Sequence, residues 1–188
     1  MKILKFGGTS VGSPERMKKL LDVIRPNLSG SNDEKQIVVL SAVAGTTNSL
    51  VEISQAYLNG DKRKAGELTK ELHDKYKIFV RELFATEQGL TNGKELIDYH
   101  FTLISSFANE LFTPIEEKII LAQGELMPTA LYHFYLTEIG VRPVLLPALD
   151  FMKIDEDNEP VVEYIGEHLT RILNKYPDQA LFITQGYI

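Results

Sequence analysis

Lys5-Phe6-Gly7-Gly8-Thr9-Ser10 sets a cation and two adjacent glycines at the end of a short apolar run. Glycines there let the backbone pass close to a bound group, and successive N–H groups form a nest for phosphate oxygens. Lys5 stands just before the turn, where an ammonium neutralises charge on a transferring phosphoryl group. No Gly-Lys-Ser/Thr follows the glycines, so this is not a Walker A loop. The residues alone leave two readings open, a phosphate cradle and an ordinary strand-to-helix turn with a solvated lysine. A second small-residue turn, Ser41-Ala42-Val43-Ala44-Gly45-Thr46-Thr47-Asn48, follows another apolar run. Its hydroxyls and N–H groups suit a carboxylate, and Thr47 or Asn48 is expected to cap the next helix. Gln123-Gly124-Glu125-Leu126-Met127 is read as placing a carboxylate at a helix start. The helix dipole by itself accounts for such a glutamate, and pairing with a substrate ammonium is the alternative. His73, His100, His133 and His168 lack metal-ligand spacing and are read as structural or exposed, so no metal site is expected.

These turns need strands behind them. Ile3 to Phe6 and the unbroken Ile37-Val38-Val39-Leu40 read as buried strands, with a helix between them opened by Ser13-Pro14 and closed by Pro26. Gly30 to Glu34 reads as a polar connector. Strand, helix, strand predicts a parallel sheet whose carboxyl ends carry both turns, the edge at which open α/β sheets bind ligands. From about 50 to 122 the pattern turns helical: Val51 to Leu58, Ala65 to Phe84, and Glu95 towards Phe112, with breaks at Gly89 to Gly93 and at Pro114. A helix over Glu125 to Glu138 stopped by Gly140, a strand at Val144 to Leu146, a helix over Glu163 to Tyr176 and a strand at Ala180 to Thr184 complete the reading.

The 188 residues are 44% apolar, enough for one domain with a core. A net charge of −6 argues against non-specific nucleic-acid binding, and the lack of cysteine excludes disulfides and thiolate chemistry. No signal-like start and no membrane-length apolar run is present, so a cytoplasmic protein is expected.

Taken in order, KFGGTSVGS from Lys5, VVLSAVAGTTN from Val38, QGELMPTALYHFY from Gln123 and the closing FITQGYI resemble the aspartate kinase family, nearest to its single-function, lysine-sensitive members. The resemblance covers essentially the whole chain. It implies the amino-acid kinase fold, an α/β/α sandwich with a mainly parallel sheet and a helical insertion at about 50–122. On that footing residues 1–188 are the amino-terminal portion of the catalytic domain, with the carboxy-terminal half absent. The substrates implied are ATP, with Mg²⁺ carried on the nucleotide, and L-aspartate, and a homo-oligomer is implied for the full-length protein. Lys5 resembles the lysine that stabilises the transferring phosphoryl group, within a phosphate- and ATP-binding stretch of Lys5, Phe6, Gly7, Gly8, Thr9 and Ser10. Ser41 and Thr47 resemble positions lining the aspartate pocket, and Glu125 the glutamate that holds the substrate amino group. Gln123 and Pro128 depart from the histidine and serine common in relatives. The family's later arginine- and glycine-rich segment, adenine-binding half and regulatory domains would lie beyond Ile188, so this chain alone is expected to be inactive. A glutamate or acetylglutamate kinase, and a non-catalytic anion-binding lobe, are the competing readings.

Overall fold

The structure is a computed structural model that describes residues 1–28, 35–109 and 111–187; the connector read at Gly30 to Glu34 lies outside them. Four strands, β1 (Lys2–Phe6), β2 (Gln36–Leu40), β3 (Val144–Leu145) and β4 (Leu181–Gln185), form one sheet in the order β1-β2-β4-β3. Every neighbouring pair is parallel, as the strand-helix-strand opening predicts. Phe6 is in register with Leu40, and Leu40 with Gln185. The turns that follow β1, β2 and β4 therefore leave the sheet side by side at one edge.

Alternation along the strands gives the sheet two faces. Leu4, Phe6, Val38, Leu40, Leu181 and Ile183 face the main core, built with α1 (Pro14–Leu28), α2 (Thr46–Leu58), α3 (Lys62–Leu83), α4 (Glu87–Ser106) and α5 (Pro114–Glu138). On the other face Ile37, Phe182 and Val39 meet Leu173, Ile165, Leu169 and Ile172 of α6 (Val162–Asn174). Helices on both faces of a parallel sheet make the α/β sandwich that the sequence pattern implies. Gly140, at φ 80°, ends α5 as read, its N–H donating to the Thr137 carbonyl at 3.1 Å.

Several boundaries differ from the sequence reading. Helix α1 runs through Pro26 to Leu28. Helix α4 ends at Ser106, before a 3-10 turn over Phe107–Asn109, so no single helix reaches Phe112. It also passes straight through Gly89 and Gly93. The break lies earlier, at extended Phe84, where Thr86 caps α4 by accepting from the Gly89 N–H at 3.0 Å and Glu138 binds the Thr86 N–H at 2.8 Å. These glycines serve close packing and not a turn. A Cβ on Gly93 would stand 2.5 Å from Phe84 Cε2 and 3.0 Å from Val80 Cγ1. Gly66, exposed on the outer side of α3, has nothing within 4 Å of such a Cβ. Gly66→Ala should therefore stabilise the chain by about 0.5–1 kcal/mol, whereas Gly93→Val should destabilise it by roughly 1–3 kcal/mol through overpacking. Thermal melts of the two variants check the opposed signs.

The largest correction concerns α5. The sequence reading starts a helix at Glu125, but α5 begins at Pro114, behind a capping box in which Thr113 and Glu116 satisfy each other's backbone N–H groups. Glu125 lies deep inside this helix, beyond the reach of an N-terminal dipole that fades within the first turn.

Candidate active site

The three turns at the sheet edge are stitched to one another. Ser41 N–H donates to the Phe6 carbonyl at 3.1 Å, and Gly186 N–H donates to the Leu40 carbonyl, also at 3.1 Å. A Cβ on Gly8 would lie 3.0 Å from the Ala42 carbonyl oxygen, and one on Gly12 would lie 3.1 Å from Ala44 Cβ. Glycine is thus what allows the first turn to rest on the second. Within the first turn the Gly7 carbonyl accepts from the Ser10 N–H at 2.8 Å, and Arg16 Nη1 holds the Thr9 carbonyl at 2.9 Å. The Ser13 hydroxyl accepts from the Arg16 N–H at 3.3 Å, in the capping position the sequence assigns it.

Lys5 and Thr9 are exposed, Gly7 has open space above it, and Ser10 is half-buried. Phe6 packs its ring on the main core, so only its backbone takes part in the edge. Lys5 has no hydrogen-bond or ion-pair partner among the described residues, which leaves its ammonium free for a ligand.

The second turn departs from the reading that Thr47 or Asn48 caps α2. The cap is Gly45, at φ 83°, and no side chain caps the helix. Thr46, at the helix start, is buried and its hydroxyl lies 3.1 Å from the Tyr76 hydroxyl, which turns it into the core. Thr47 and Asn48 belong to the first helical turn and face a cleft of about 340 Å³, lined also by Gly8, Ser41, Gly45 and Glu125. The Thr46 N–H donates to the Val43 carbonyl at 2.9 Å, but those of Thr47 and Asn48 have no partner among the described residues, and with the neighbouring hydroxyls they suit a carboxylate or phosphate oxygen. The structure therefore gathers Gly8, Ser41, Thr47 and Glu125 around one cleft, with Lys5 on the strand that leads to it.

Glu125 reaches the cleft because α5 crosses tightly over the second turn. A Cβ on Gly124 would stand 3.2 Å from Leu50 Cδ1 and 3.4 Å from Ala42 Cβ. Only 8% of Glu125 is exposed, and its Oε2 accepts from the Tyr187 N–H. Burial pushes its carboxyl above the usual glutamate value, an effect offset in part by the N–H groups of Tyr187, Gly186 and Ala42 and by the charge on Lys5. A buried carboxylate whose facing donors are mostly backbone amides suits a ligand ammonium.

Gln123 turns away from the cleft. Its Oε1 accepts from His100 Nδ1 at 2.6 Å and its Nε2 donates to the Ile119 carbonyl at 2.7 Å. Burial lowers the His100 pKa, with the bond to Gln123 acting in the opposite sense, so this pair braces α5 against α4 as neutral groups. The amides of Gly186 and Tyr187 are site groups the sequence reading missed. The Gln-Gly turn after β4 was visible, but nothing local tied it to Glu125.

A model described as "Amino acid kinase family" matches residues 1–188. Lysine-sensitive aspartokinase 3 of Escherichia coli is 27% identical over 192 residues, covering 99% of this chain and 40% of that protein. Aspartokinase 2, chloroplastic, of Arabidopsis thaliana is 28% identical over 197 residues, covering 99% of this chain and 34% of its own length. Among solved structures, E. coli aspartokinase III in complex with aspartate and ADP superposes with a TM-score of 0.77 at 26% identity, over 99% of this chain and 40% of that one. The Clostridium acetobutylicum aspartate kinase, at TM-score 0.69 and 15% identity, shares the fold. The chain thus spans about two fifths or less of the length of these curated relatives.

Proposed function

Because the chain belongs to the amino acid kinase family, we propose that it is part of an aspartate kinase, transferring the γ-phosphoryl group of ATP to the side-chain carboxylate of L-aspartate. The observation that carries this reading is the cleft with a buried carboxylate, Glu125, on one side and an uncapped helix start with Ser41 and Thr47 on the other. That pairing fits a ligand with both an ammonium and a carboxylate. The relatives named aspartokinase, and the neighbour solved with aspartate and ADP, support the choice of amino acid and of nucleotide.

In this reading Glu125 binds the substrate ammonium, while Ser41 and Thr47 receive a carboxylate. The side-chain carboxylate of aspartate ionises at about 3.9, so the nucleophile is charged at neutral pH and needs no general base. One of its oxygens forms a bond to the γ-phosphorus as the bond from phosphorus to the ADP oxygen breaks, giving 4-phospho-L-aspartate and ADP. The obstacle is bringing one anion to another. Lys5, with the amides of Gly7, Gly8 and Thr9 and the flanking Phe6 and Ser10 backbone, meets that charge on the protein side. Mg²⁺ enters with the nucleotide; among the described residues no group of three or more His, Cys, Asp or Glu is placed to hold a metal. The same reading takes a cytoplasmic homo-oligomer as the working form.

A hydroxamate assay for β-aspartyl phosphate tests the proposal on this chain and on the full-length protein that carries it. Turnover of aspartate by the full-length protein, with this chain alone at background, is the expected result. Turnover of glutamate or acetylglutamate in place of aspartate would move the assignment to a sister kinase.

A further inference from the structure

Behind Glu125 lies a buried polar chain that plays no part in the chemistry above. Gln185, the last residue of β4, is 6% exposed. Its Oε1 accepts from the Ala148 N–H at 2.8 Å, and its Nε2 donates to Thr129 Oγ1 at 2.8 Å. The Ala148 amide can only donate, so it fixes which end of the Gln185 amide faces which way. The Thr129 hydroxyl must then accept from Gln185 and spend its own proton on the carbonyl of Glu125, at 2.8 Å, or of Leu126, at 2.9 Å. Thr129 is fully buried, so no water competes.

The place of this relay in α5 matters. Pro128 lies inside the helix and has no N–H to give the Gly124 carbonyl, so the helical ladder is broken one residue before Glu125. The segment bearing the carboxylate is held less by its own helix than its neighbours are. Gln185 also precedes Gly186 and Tyr187, whose amides meet the Glu125 carboxylate. Gln185 thus leads by its backbone into one side of that contact, while its side chain, anchored on the Ala148 amide, reaches the Glu125 turn on the other side through the Thr129 hydroxyl.

We propose that Gln185, acting through Thr129, is a positioning residue that holds the Glu125 turn of α5 and the Gly186–Tyr187 turn in the one arrangement that presents the carboxylate to a substrate ammonium. The proposal rests on the aspartate kinase reading for its substrate, but the relay itself is testable without it.

The test compares Gln185→Ala, Thr129→Val and Thr129→Ser in the full-length protein. Gln185→Ala and Thr129→Val should raise KM for aspartate roughly tenfold or more, with KM for ATP within about twofold of wild type. Thr129→Ser keeps the hydroxyl and should restore the wild-type value. Folded variants that melt lower yet keep the wild-type KM for aspartate would reduce Gln185 to a structural residue and overturn the proposal. Should Gln185→Ala fail to fold, the Thr129 pair decides. If the wild type does not phosphorylate aspartate, the function reading fails, and amide exchange then tests the relay. Faster exchange at Gly186 and Tyr187 relative to Ile183 in Thr129→Val, but not in Thr129→Ser, supports it, and unchanged exchange rejects it.

Discussion

On the aspartate kinase reading, Lys5→Met in the full-length protein should lower kcat by about 10²–10³ while leaving KM for aspartate within a few-fold of wild type. The figure is what loss of one preorganised charge donor at a developing anion costs. Lys5 sits one residue before the end of β1, in register with Val39, so the strand and not a mobile loop sets its place. Its side chain is exposed and, among the described residues, makes no hydrogen bond or ion pair, acting on Glu125 only through its charge, so little stability depends on it. Methionine keeps the length and the apolar stem while removing the charge, which separates electrostatics from packing. Lys5→Arg should recover only part of the rate, because a planar fork does not reproduce a compact ammonium approaching between two anions. Thermal melting within about 1–2 °C of wild type, measured beside the steady-state rates, would show that the loss is chemical. A kcat within threefold of wild type would remove Lys5 from the mechanism.

The two glycine-rich turns were legible in the sequence because their signals are local. An apolar strand run followed by Gly7-Gly8, and another followed by Ser41 to Gly45, fix both a turn and its place at a strand end. The parallel sheet followed from the strand-helix-strand order of the same stretch. Glu125 was legible as a residue type but not as a position. The Thr113-Pro114-Ile115-Glu116 start signal stood in the sequence, yet Gly124 drew the boundary to itself. Here, as at Gly89 and Gly93, glycine answered to a neighbouring element: Leu50 and Ala42 in the first case, Phe84 in the others. A single sequence does not say which element will approach. The same holds for Gln185, whose partners lie 37 and 56 residues away along the chain. Contacts over such separations leave no periodicity to read. The cap of α2 was misjudged for another reason, since Thr47 and Asn48 are good capping residues and the left-handed Gly45 took the position instead.

Glu125→Gln should weaken aspartate binding by at least about 30-fold, equivalent to roughly 2 kcal/mol, while making the free protein more stable at neutral pH. The two effects have one cause. Burial raises the Glu125 pKa in the fold, so the folded protein holds that proton more tightly than the unfolded chain does. The stability this contributes is complete below the unfolded value, about 4.3, and is lost as pH rises through the raised folded value. Above that point the ionised carboxylate is a cost that the backbone amides and the Lys5 charge only partly offset. Glutamine carries no such cost and keeps an oxygen for the Tyr187 N–H. The variant should melt about 2–4 °C higher at neutral pH, the shift that 1 kcal/mol produces in a chain of this size. The gain should vanish as pH falls below the ordinary glutamate range, where wild type is protonated as well. Aspartate binding responds in the opposite direction, because the substrate ammonium needs the ionised carboxylate. Wild-type affinity should therefore weaken as pH drops through the raised pKa, while affinity of the variant should not follow that titration. Melting curves across pH, paired with calorimetric titration of aspartate, read both slopes. A variant that binds aspartate as tightly as wild type would take the ammonium away from Glu125, and a variant less stable at neutral pH would mean that the backbone amides already compensate the buried charge in full.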